Sequence, residues 1–177
     1  MTEQKTRYPS KLEVQQKVQN AIERLLIRDC YLLKKDVNER SISHRLASYL
    51  QDEFGEEWDV DCEYNRDHNI KKELIIQPTS VAPDDTTATT VFPDIIVHRR
   101  GQEDNLLVIE MKKTRNSQRG AKDFDLEKLR AFRQEKYHYY HTFYLQLKTG
   151  DDIGVDKMQW DSEWMTPQDD PLGGLLF

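Results

Sequence analysis

Cysteine is scarce in this chain, and long apolar runs are missing altogether. The two cysteines, Cys30 and Cys62, make neither a metal-ligand spacing nor a disulfide framework, and they read as reduced residues of a cytoplasmic protein. No stretch approaches the roughly 20 apolar residues that a bilayer-crossing helix needs, so no membrane partner is expected. The opening MTEQKTRYPS holds no apolar segment of the kind a secretory leader carries, which points to the same compartment. A paired-cysteine zinc site or other separate DNA-reading motif is also lacking.

Nor is there a basic excess: 26 Lys and Arg face 32 Asp and Glu, for a net charge of −6. That charge is unevenly spread. Residues 148–177 carry seven acids and two lysines, a balance of −5, which leaves 1–147 at only −1. Within that part, Lys112–Lys136 holds nine basic residues against four acids, a local +5. Local fields govern attraction to phosphate more than totals do. With 177 residues, 37% hydrophobic content and a mean hydropathy of −0.85, the chain suits one domain with a real core and is too short for two.

Val14, Val18, Ala21, Ile22, Leu25 and Leu26 recur at helical spacing and predict a helix from Pro9 to about Lys35. The stripe serves core packing or, alternatively, a seam with a second copy of the chain. Asn38 in DVNERS is a fitting N-cap for a second helix reaching about Phe54, with Ile42, Leu46, Tyr49 and Leu50 on one face. Trp58–Arg66 alternates as a strand, with Val60, Cys62 and Tyr64 on one side and Glu63 on the other. Asp67–Thr90 reads mostly as loop, with LIIQ as a short strand. FPDIIVHRR and NLLVIEMKK then make two strands joined by the turn-forming GQED. A helix over Ala121–Tyr137 precedes a last strand, YYHTFYLQL, with Tyr139, His141, Phe143, Leu145 and Leu147 on one face. The hairpin is antiparallel, while the helical crossover permits a parallel pairing for the last strand. The expected class is therefore α/β with a mixed four-stranded sheet. Three regions follow: a helical extension at 1–37, a core at 38–147 with a long flexible loop at 66–91, and an acidic tail at 148–177.

The hairpin concentrates the chemistry. With its turn centred near Gln102, Asp94 lies opposite Glu110, Ile96 opposite Val108, and His98 opposite Leu106. Strand alternation puts Lys112 on the same face as Glu110. Like charges directly opposite one another destabilise a strand pair by about 0.2–1 kcal/mol, more when buried. A cation relieves that repulsion. Two carboxylates and the Met111 main-chain carbonyl form an all-oxygen donor set that suits a hard ion such as Mg²⁺, with waters completing its shell. In the other reading, Asp94 merely follows a proline at a strand start, and Glu110 and Lys112 are solvent-facing charges at a strand end.

FPDII, with VIEMK placing Glu110 sixteen residues after Asp94, resembles the PD-(D/E)xK nuclease superfamily, to which many restriction enzymes and repair nucleases belong. The usual core of that family is a helix, three strands, a helix and a fourth strand, an order that residues 38–147 match. The resemblance implies a restriction endonuclease-like αβββαβ fold, here with an extra N-terminal helix. It further implies that Asp94 and Glu110 coordinate Mg²⁺ or Mn²⁺ with help from Met111, and that Lys112 orients the attacking water or offsets charge at the phosphate. Glu39 fits the glutamate that the family often carries on its first core helix; an ordinary first-turn acid favoured by the helix dipole is the alternative. A polar residue from the helix after the site often points at the phosphate in that family, which makes Lys128 a candidate; the other reading, which the residues favour, is a solvated lysine at the edge of the packing face.

Lys113, Arg115, Arg119 and Lys122, with Arg130 and Arg133, form a basic run able to track a phosphate backbone, or simply a solvated face. His138 and His141 fall on opposite faces of a strand and are poor joint ligands, so zinc is rejected. The expected activity is metal-dependent hydrolysis of phosphodiester bonds in DNA. The alternative is a catalytically inactive nuclease-fold module that binds nucleic acid or serves as an accessory subunit. The tail, with Trp160, Trp164 and PLGGLLF, reads as a flexible end, a dock for a protein partner or a shield for the basic surface.

Overall fold

A computed structural model of the chain describes residues 8–64, 92–114, 121–133 and 137–150, and short strand segments at 66–67, 70–71, 73–74, 89–90 and 164–165. In chain order the elements are α1 (Lys11–Arg28), α2 (Cys30–Lys34), α3 (Glu39–Phe54), β1 (Asp59–Cys62), β2 (Arg66–Asp67), β3 (Ile70–Lys71), β4 (Glu73–Leu74), β5 (Thr89–Thr90), β6 (Ile95–His98), β7 (Asn105–Lys113), α4 (Ala121–Arg133), β8 (His141–Leu147) and β9 (Trp164–Met165).

α1 starts where Ser10 and Glu13 form a capping box, each side chain accepting the other's backbone N–H. The expected single helix to Lys35 is instead broken at Asp29, which leaves helical geometry. Its carboxylate accepts bonds from Arg45 Nε at 3.1 Å and the Tyr49 hydroxyl at 2.6 Å, both on α3. A tertiary contact thus overrides local periodicity. The whole apolar stripe of α1 is buried, and α1 packs against α3 within the chain. Asn38 caps α3, accepting the Ser41 N–H at 2.8 Å.

Four principal strands form a mixed sheet in the order β1-β6-β7-β8, with the two-residue β9 beside β8. β1, β6 and β7 pair antiparallel, and β8 joins β7 in parallel after the α4 crossover. The segment expected as loop also contains strand pairs, β2 with β3 and β4 with β5. Both faces of the sheet are covered, so β6 and β7 are buried almost throughout. Ile95, Val97, Leu107, Ile109, Met111, Phe143, Leu145 and Leu147 pack toward α1 and α3. Ile96, Val108 and Tyr144 pack with Leu126, Leu129 and Phe132 of α4. Each fully buried large apolar side chain contributes about 1.5–3 kcal/mol.

The register around Ile95–Val97 has Ile96 opposite Val108, as the alternation predicts. Beyond Val97 it shifts. His98 faces Asn105, not Leu106, because Leu106 is the extra residue of a bulge and turns into the same cluster as Leu107. Two further expectations about faces are corrected. Tyr64 packs in the α4-side cluster, away from Val60 and Cys62, since Glu63 adopts φ +48° and ends the alternation. Tyr139 also lies in the α4-side cluster, opposite Phe143, because β8 begins only at His141 and His138 has φ +48°.

The end of β7 is fastened to the α2–α3 junction by Lys113. Its Nζ reaches Asp36 Oδ1 at 2.9 Å and donates to the Val37 carbonyl at 2.8 Å. Thr149 donates to Asp36 Oδ1 at 2.6 Å, which adds the end of β8 to the knot. Removing the ammonium leaves half-buried acceptors without their charged donor. Lys113→Met is expected to lower the unfolding free energy by about 1–3 kcal/mol in urea titrations; an unchanged midpoint would mean that the knot contributes nothing.

Candidate active site

Pro93 has no N–H to extend the β6 ladder, and β6 begins only two residues later, at Ile95. β7 runs on past that point to Lys113, so its amides need other acceptors on the β6 side. Two acids supply them. Asp94 Oδ2 accepts the Met111 N–H at 2.7 Å, and Glu39 Oε2 accepts the Lys113 N–H at 2.8 Å. Alternate amides of a strand point the same way, so both carboxylates lie along one side of β7, bracketing Lys112. Asp94 is held from behind as well, since its carbonyl accepts the Glu63 N–H at 3.2 Å. Glu39 owes its place to the Asn38 cap, which makes it the first residue of α3.

The paired register ends with Ile95 opposite Ile109; carried one residue further, it would set Asp94 opposite Glu110. Glu110 and Lys112 have the parity of Val108 and belong to the α4 face of the sheet, while Asp94 lies just beyond the end of β6 with its carboxylate on the Met111 N–H. Glu110 is fully buried, while Asp94 and Lys112 are half-buried. Lys128 comes down from α4 onto Glu110, with Nζ 2.7 Å from Oε2 and both side chains almost wholly inside. On β8, Tyr144 sits beside Glu110, and Gln146 beside Lys112.

Burial pushes the Asp94 carboxyl above the ordinary carboxylate range. The Met111 N–H, then Lys128, then Lys112 act against that rise, and Glu39 adds to it. Asp94 therefore feels the charges of Lys128, Lys112 and Glu39, and Glu110 is bonded to Lys128. Three carboxylates against two ammoniums give the site one formal negative charge.

The chain matches no family model, no curated protein and no solved structure. Among the described residues, no group of three or more His, Cys, Asp or Glu side chains is arranged to hold a metal ion. The pair Asp94 and Glu110 with the Met111 carbonyl is a smaller set, all oxygen, of the kind Mg²⁺ accepts while keeping several waters.

Other expected site residues fall differently. Lys113 is buried in the structural knot and does not face outward to a phosphate backbone. Lys128 is not a solvated lysine either; its ammonium is committed to Glu110. Arg115, Arg119 and the side chain of Lys122 lie outside the described residues. Glu63 is exposed and paired with Arg40 at 2.6 Å, and Arg45 serves Asp29. His138 is exposed and His141 buried, so they share no ligand. Sequence reasoning missed the depth of Lys128 and the place of Gln146. A signal existed for each: Lys128 adjoins Leu129 on the face that also holds Phe132, and Gln146 alternates with Leu145 and Leu147.

An acid whose folded pKa is raised contributes stability below its unfolded value and loses it as pH climbs through the folded one. Asp94→Asn keeps an acceptor for the Met111 N–H and removes the cost of ionising a buried acid. In EDTA the variant should match wild type near about pH 4 and become the more stable of the two by about pH 8. A difference that does not grow with pH would contradict the burial of that charge.

Proposed function

We propose that the chain is a metal-dependent nuclease that hydrolyses phosphodiester bonds in DNA. One observation carries this reading: where β6 stops short of β7, Asp94 and Glu39 accept the Met111 and Lys113 amides that bracket Lys112, and Glu110 and Lys112 share a face of β7. The element order α3-β1-β6-β7-α4-β8, leaving aside the two-residue strands, supports a restriction endonuclease-like fold and the resemblance to the PD-(D/E)xK superfamily. Among the described residues, no helix is long and apolar enough to cross a membrane, which is compatible with a cytoplasmic site of action.

Asp94, Glu110 and the Met111 carbonyl would hold Mg²⁺ or Mn²⁺, which when bound supplies a Lewis acid that activates water and offsets charge on phosphate oxygens. The chain's own groups do the rest. Lys112, half-buried beside the acids, provides a fixed positive charge for a phosphate oxygen or an anchor for the attacking water. The Met111 and Lys113 amides fix Asp94 and Glu39, so the acids need little reorganisation. The apolar packing of α4 on the sheet keeps bulk water from Glu110 and strengthens every charge interaction there.

A second reading, a catalytically inactive module that binds nucleic acid or serves a larger complex, is favoured by the Lys128–Glu110 pair, in which an ammonium already neutralises the carboxylate. Single- and double-stranded DNA and RNA, incubated with wild type, Asp94→Asn and Lys112→Ala in Mg²⁺ or EDTA, separate the two. Nuclease action is expected only with the ion and should fall by about 100-fold or more in each variant. Binding without cleavage would favour the second reading, and cleavage in EDTA or unaffected by both substitutions would refute the assignment.

A further inference from the structure

We propose that Lys128 is a built-in counter-cation for Glu110, a positioning residue that keeps the metal-free site folded and that a divalent ion must displace from this carboxylate. The proposal rests on the metal site described above and adds what governs its occupancy.

Lys128 and Glu110 come from different elements, α4 and β7, and meet at 2.7 Å with side-chain exposures of 9% and 1%. A lysine on a helix can usually extend its four-carbon stem along apolar surface and keep its ammonium in water. Here it does the reverse. Leu129 and Phe132 seat α4 on Ile96, Val108 and Tyr144, and Lys128 goes inward with them. Burying an ammonium is costly unless a close opposite charge meets it, and Glu110 meets it.

The pair also answers a difficulty of the hairpin. Extending the Ile95–Ile109 register by one residue sets Asp94 beside Glu110, and ionised acids so placed repel unless a cation lies near them. Lys128 supplies one positive charge in that place. A divalent ion on Glu110 would bring two positive charges against Nζ, so ion and ammonium compete for one carboxylate. Ion affinity is therefore held down by Lys128.

The sign of the effect separates this role from a merely structural one. A lysine that only shapes the pocket would, when removed, loosen Glu110 and weaken ion binding. A competing counter-cation would, when removed, strengthen it. Mn²⁺ binding by calorimetry and thermal unfolding in EDTA and in Mn²⁺ would be measured on the full chain for wild type, Lys128→Met and Lys128→Gln. Lys128→Met is expected to melt several degrees lower in EDTA, to recover most of that loss in Mn²⁺, and to bind Mn²⁺ about tenfold more tightly or better. Lys128→Gln, which keeps a donor and loses the charge, should bind more tightly in the same direction. Adding Asp94→Asn to either variant should abolish the gain. Equal or weaker Mn²⁺ binding in the folded variants, with wild type binding normally, would overturn this proposal alone. Failure of both variants to fold even in Mn²⁺ would overturn it too, since the ion was to replace the missing charge. No Mn²⁺ binding by any form would remove the metal site itself, and the nuclease reading with it.

Discussion

Two carboxylates carried side by side into a sheet covered on both faces cannot stand without compensation. That constraint organises this molecule. Asp94 and Glu110 flank the point where the β6–β7 pairing ends, and the Met111 amide, Lys112 and Lys128 offset the burial and the Glu39 charge that weigh on Asp94, while Lys128 pairs with Glu110. The Met111 and Lys113 amides hold the conformation of the acids they serve, and the Met111 amide works against the rise that burial imposes on Asp94.

The early end of β6 is what opens the site. Pro93 leaves the outer part of β7 without a strand neighbour on that side, and side chains from two distant elements take over the exposed amides. One comes from the strand end itself, the other from the first turn of α3. α3 is placed by burial of Ile42, Leu46 and Leu50 against α1 and the sheet, and α4 by Leu129 and Phe132 on the other face. The apolar layers therefore aim the polar groups. A mixed sheet with a parallel β7–β8 pair needs the α4 crossover, and that crossover delivers Lys128.

Much of this was legible in residue order. The alternation of FPDIIVHRR and NLLVIEMKK, with Gly101 in the turn at φ +73°, defines the central register, Ile96 opposite Val108, and the common face of Glu110 and Lys112 on β7. Asn38 announces the start of α3, and hence the place of Glu39. What escaped depends on contacts between distant residues. The bulge at Val97/His98 is silent because Leu106 and Leu107 are both apolar, so either phase satisfies the pattern. The break at Asp29 is set by Arg45 and Tyr49, sixteen and twenty residues away. Lys113 and Lys128 read as surface charges, since nothing local tells a lysine that its acid waits on another element.

The most direct measurement of the central claim is anomalous diffraction from crystals grown with Mn²⁺. The expected result is one peak about 2.0–2.4 Å from carboxylate oxygens of both Asp94 and Glu110, with the Met111 carbonyl alongside. Saturating Mn²⁺ that leaves this end of β7 without a peak, or that gathers at residues elsewhere, would contradict the account.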